Sequence, residues 1–170
     1  MPDQPDIPVH LAGRQRQGGL VVPWITPAVG GVHLFGTVIA SAQRACLHGR
    51  LCQVCGQRLP GRSVLFARAA DLRNRCTVEP ATCPACAAYS TRACPMLSRR
   101  RDHYRASGHP ALAGLPPSDD ARLRQAAPAE PWFAVWVRDY DVRVHPARTG
   151  LLAASWARIP PLTIRPLPTT

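Results

Sequence analysis

The sequence predicts an α+β fold in which short strands and few helices surround a small core and both termini are irregular. Three observations lead there. Nineteen prolines and 12 glycines in 170 residues interrupt every long run and favour turns, short strands and short helices. Aromatic residues make up only 6% of the chain and alanine dominates the apolar share. A large close-packed core is therefore not expected, and a small one gains from a cross-link. Two Cys-x-x-Cys pairs, Cys52/Cys55 and Cys83/Cys86, offer one.

Taken in order, 1–17 is polar and rich in proline and reads as an unstructured tail. The core is expected over 18–105. LVVPWITP (20–27) is a short extended piece that Pro23 confines to an edge or bend, and Gly30-Gly31 is a turn. A helix is expected from about Thr37, as N-cap, to Leu47, with Gly49 ending it. After the first cysteine pair, Pro60-Gly61 and the apolar run at 63–68 have the pattern of a hairpin. CTVEP (76–80) reads as a strand. A second helix should start inside the second pair, because Pro84 suits a first helical turn. Residues 106–131 are an Ala/Pro-rich linker. Within 132–170, PWFAVWV followed by the alternating DYDVRV predicts one strand, or two with a turn near Asp139, and LLAASWARIPPLTIRPL adds a further short one. This last segment is expected to pack on the core.

The two pairs are separated by residues 56–82. Cys-x-x-Cys lets two thiolates converge on one ion because the intervening backbone turns tightly, and two such pairs complete a tetrahedron. Gly56 suits the turn, since glycine takes positive φ without strain. The second pair opens the expected helix, whose N-terminal dipole favours thiolate. Knuckle, hairpin and a helix that donates the last two ligands make a treble-clef-like zinc-binding core, with Cys52, Cys55, Cys83 and Cys86 as ligands. Iron is chemically compatible with the same set. Two readings compete: buried thiols that happen to be spaced, and a thiol redox centre at Cys83–Cys86, which lacks the βαβ surroundings of such sites. Cys94, about two helical turns beyond Cys86, and His48, just before the first pair, are alternative ligands. Core thiols are the plainer reading of Cys46, Cys76 and Cys94.

No catalytic pattern assembles. Metal-dependent HNH nucleases need a histidine between the pairs, and 56–82 contains none. A zinc deaminase needs His-x-Glu, which does not occur. Nucleotide-loop and nucleophile-elbow motifs are also missing. The sequence therefore favours a protein that is not an enzyme.

Net charge is +11, carried entirely by arginine. Residues 41–105 hold twelve arginines against three acids, so the positive field lies on the cysteine-bearing segment. Arg58, Arg62, Arg92, Arg99, Arg100, Arg101 and Arg105 are the candidate contacts to DNA or RNA, with Tyr89 and Tyr104 available for stacking. A solvated basic face, or the arginine bias of a G+C-rich genome, explains the same charge. The competing partner is a protein docked on the aromatic residues of 132–156. No signal peptide or membrane span is evident, and seven cysteines then point to a reducing cytoplasm.

Val22-Pro23-Trp24, the knuckle Cys52 to Gly56 and the segment Glu79 to Pro95 together resemble a group of small, functionally uncharacterised Cys-x-x-Cys proteins of actinobacteria and their phages. The resemblance covers about 20–105. It implies that Cys83 stands where histidine also occurs, as at a zinc ligand, and that Cys94 belongs to the motif. It carries no activity with it; the expectation of a nucleic-acid-binding or regulatory role, in a phage or mobile-element setting, rests on the basic surface.

Overall fold

The structure is a computed structural model and describes residues 5–106, 109–110 and 124–168. It is a mixed α and β fold with small antiparallel sheets. The N-terminal part carries two ribbons, β1 (Arg16–Gln17) with β2 (Leu20–Val21), and β3 (Ala28–Val29) with β4 (Val32–His33). Helix α1 (Ala40–Gly49) follows. Then come β5 (Ser63–Arg68), α2 (Ala69–Asn74), β6 (Cys76–Thr77) and α3 (Pro84–Ala93). The C-terminal part supplies β7 (Trp132–Val137), β8 (Asp141–Val144), β9 (Leu152–Ser155) and β10 (Thr163–Pro166).

Two three-stranded sheets organise the core, in the orders β10-β7-β5 and β6-β9-β8. β5 pairs with β7 in the register Ser63 to Val137 through Arg68 to Trp132. Every residue of β5 is buried, which is why its sequence is a run and not an alternation. Leu65 and Ala67 pack with Leu47, Val135, Val137, Tyr140 and Trp156. Val64 and Phe66 face Ala87, Leu97, Trp132 and Ala134. The sheet is thus covered on both faces, with α3 on the second.

Several expectations need correction. Residues 5–17 are not an unstructured tail: Val9–Leu11 form a 3-10 turn, and Leu11 is fully buried. α1 starts two residues later than expected, with Ile39 and not Thr37 at its N-cap and no side-chain cap bond. Gly49 is its last residue, and Arg50 takes the left-handed conformation at φ 53°. No strand before Pro60-Gly61 pairs with β5, whose ladder partner is the distant β7. β6 is two residues long, shorter than CTVEP. The strand run after Pro131 divides at Asp139 as one alternative had it, but β7 and β8 enter different sheets. Most of the 106–131 linker lies outside the described residues.

A buried ion pair occupies the end of β5. Arg68 donates Nε–H to Asp71 Oδ2 at 2.9 Å and its backbone N–H to the same oxygen at 2.9 Å, with both side chains essentially inaccessible. The guanidinium also lies 5.7 Å from the Trp132 ring centroid. A second clamp joins α1 to the β7–β8 turn. Arg50 donates to Leu47 O, Tyr140 O and Asp139 Oδ1, and stacks 4.2 Å over the Tyr140 ring.

Candidate metal centre

The first cysteine pair sits in a tight knuckle closed by its own backbone. Gly56 N–H donates to Cys52 O at 2.8 Å, Cys52 N–H donates to Gln57 O at 2.8 Å, and Leu51 bridges Arg58. Gly56 has φ +76°, and a Cβ there would lie 2.5 Å from Cδ1 of Trp24. Glycine is therefore required twice over, by backbone conformation and by the indole packed against it. The neighbouring chain is stitched to the knuckle on both sides. Trp24 and Ile25 donate their N–H groups to Val54 O and Gln53 O, and Gln53 N–H donates to Ala81 O.

That last bond places the second pair. Val64 and Thr82 exchange both backbone bonds at 2.9 Å, so residues 81–83 are pinned between β5 and the knuckle. Cys83 is then the N-cap of α3, and Pro84 occupies the first turn, where its missing N–H costs nothing. Cys86 lies one turn inside the helix and is fully buried. The backbone N–H of Cys83 donates to Cys52 Sγ at 3.4 Å.

The ligand atoms of His10, Cys55, Cys83 and Cys86 all lie within 4.8 Å of one another, a set that could hold a metal ion. His10 Nε2 is 3.2 Å from Cys86 Sγ. Cys52 is the fifth donor of the neighbourhood: its sulfur accepts the Cys83 amide and lies close to the Cys83 and Cys86 sulfurs. Those contacts hold the Cys83 thiol down to about 3, with the Cys52 hydrogen bond first and that of Cys86 second. The Cys86 thiol is pushed the other way, because its S–H is engaged by Cys52 and then Cys83, and burial adds to this. The apolar shell comprises Leu11, Val21, Val54, Tyr89 and Ala93. Such packing limits water at the sulfurs and favours compact, paired charge over separated charge.

The remaining candidates fall elsewhere. His48 is exposed on α1 and outside the donor cluster. Cys94 packs against the Val64–Phe66 side of the sheet, and burial raises its thiol. Cys46 is fully buried, with its thiol pushed up to about 12 by burial and then by the nearby Cys52. Among the arginines, Arg58, Arg62, Arg92, Arg101 and Arg105 are exposed, and Arg99 is half-buried. Arg100 is exposed but engaged: it donates to Arg92 O and Ala93 O at the end of α3, satisfying carbonyls the helix leaves open. Tyr89 is not available for stacking, because it is buried and its hydroxyl accepts the Val21 N–H at 3.0 Å.

Sequence reasoning missed His10. The available signal was a histidine bracketed by Ile7, Val9 and Leu11 in an otherwise polar stretch.

Fold and site define a small mixed α and β protein built around a metal-competent His/Cys cluster. No family model, curated protein or solved structure matches the chain. Among the described residues, no helix is long and apolar enough to cross a membrane.

Proposed function

We propose that this is a zinc protein whose metal is structural, held by thiolates drawn from both cysteine pairs, and that its basic face binds nucleic acid. The observation that carries the metal reading is the convergence of donors from sequence-distant elements inside an apolar shell. Soft sulfur donors in a compact site suit zinc. The order of knuckle, β5 and α3 supports a treble-clef-like arrangement in which the Val64–Thr82 bridge stands for the hairpin. A redox couple at Cys83–Cys86 would leave the other donors without a purpose, so a structural ion accounts for more of the site. Metal analysis of protein purified without chelator tests it: one zinc per chain is expected, iron would reassign the ion, and no bound metal would remove the reading.

The nucleic-acid part rests on the exposed Arg58, Arg62, Arg92, Arg101 and Arg105, on a segment that carries most of the net charge. Phosphate binding releases counterions and therefore weakens steeply with salt. Titrating a duplex and a single strand against nucleic-acid-free protein at two salt concentrations is the test. Salt-insensitive or absent binding would favour a protein partner instead.

A further inference from the structure

The neighbourhood offers five donors, whereas a structural zinc takes four. We infer that His10 Nε2 is a direct ligand alongside Cys55, Cys83 and Cys86, with Cys52 as the donor held in reserve, so that the metal latches the N-terminal segment onto the core. This rests on the structural-metal reading above. Bonds of about 2.0–2.3 Å in a tetrahedron put ligand atoms roughly 3.4–3.8 Å apart. The set His10, Cys55, Cys83 and Cys86, mutually within 4.8 Å, needs only a small contraction to reach that geometry. Cys52 is the better reserve because its sulfur already accepts the Cys83 N–H and lies fully buried beneath the site.

The local chain explains why a histidine so far from the cysteine motif can serve. The 3-10 turn Val9–Leu11 drives Leu11 into the apolar shell beside Cys52 and Cys86. Its neighbour His10 is thereby aimed at the sulfurs from the solvent side, where it is itself exposed. Beyond the turn, Arg14 donates to Val22 O at 3.1 Å, and β1 pairs only with β2. Gln15 O accepts the Val22 N–H, and Gln17 exchanges two bonds with the His33 backbone; these join the segment to residues 20–33, so a metal–nitrogen bond would add a direct tie to the cysteine-bearing core.

Cobalt(II) titration of the full chain, followed by tryptic cleavage at Arg14 and Arg16, tests the assignment. The wild type should show the absorption of three thiolates and one nitrogen, with cleavage slowed by cobalt. His10→Ala should still bind cobalt, shift to a four-thiolate spectrum as Cys52 moves in, and lose the protection by about ten-fold. His10→Cys should restore it. If His10→Ala leaves both the cobalt spectrum and the cleavage rate unchanged, histidine is not a ligand and the inference falls while the metal reading stands. If the wild type binds no cobalt, the metal reading falls first and takes this one with it.

Discussion

The molecule has two halves that keep their shape by different means. The sheet half, β5, β7 and β10 with the β6-β9-β8 sheet beside it, is held by continuous apolar packing and by the buried Arg68–Asp71 pair. The knuckle half comprises the 3-10 turn, the two ribbons, the knuckle and α3, and among the described residues its strands are all two residues long. It converges on a cluster of sulfurs. Small cores that cannot bury enough apolar surface need a staple. The contrast teaches where that need lies: on the side of the chain where sequence supplies cysteines in place of long aliphatic runs.

The largest expected effect breaks the knuckle half alone. The Cys83→Ser, Cys86→Ser double variant leaves only three donors even with Cys52 recruited, and should abolish metal binding and unfold that half, since structural zinc contributes about 10–16 kcal/mol of apparent binding free energy in small zinc modules. Metal stoichiometry and hydrogen exchange would check this. Exchange protection should vanish at 52–57 and in α3 before it weakens in β7. Simultaneous loss everywhere would erase the distinction between the halves.

Next, Arg68→Met attacks the sheet half. It leaves Asp71 buried without its partner, at a cost of about 3–5 kcal/mol, read from denaturant unfolding. Metal content should remain unchanged. The Arg68→Met, Asp71→Leu double variant should recover much of the loss, because removing both charges removes the uncompensated one.

A smaller effect is expected at Gly56. Gly56→Ala places a methyl into Trp24 at a positive φ, costing about 1–3 kcal/mol. Trp24→Ala should relieve the steric share but not the backbone share, so the double variant stays below wild type in thermal stability.

The smallest effect is one of pH. His145 is buried, its Nε2 has no hydrogen-bond partner among the described residues, and Ala147 N–H donates to Nδ1 at 3.1 Å. Burial lowers its pKa from the ordinary 6.5, with Arg68 and Arg143 adding to this and Asp71 opposing. The unfolded chain therefore binds a proton first as pH falls below about 6.5. Stability is fully present above that value and is lost downward toward the lowered folded pKa. His145→Leu should flatten that slope in denaturant midpoints measured from pH 7.5 to 5.5.

Local features were the legible ones. β5 is the apolar run Val64–Ala67 with one buried polar residue at each end, and α3 begins at the second pair because Pro84 fits only a first turn. The convergence of Cys55, Cys83 and Cys86 follows from spacing. What stayed hidden depends on distant partners. Nothing near Ser63–Arg68 announces pairing with Trp132–Val137, and no local rule sets Arg50 at positive φ. Its guanidinium is fixed by Asp139 and Tyr140, almost ninety residues away. His10 escaped for the same reason: its partners come from the other side of the core, and a polar, proline-rich context argued for disorder.

The indole of Trp24 has a practical consequence. Trp132 and Trp156 are buried in the sheet half, whereas Trp24 is 40% exposed and presses on the knuckle at Gly56. With Trp132, Trp136 and Trp156 replaced by Phe, the emission of Trp24 should track metal loading in real time without any added label.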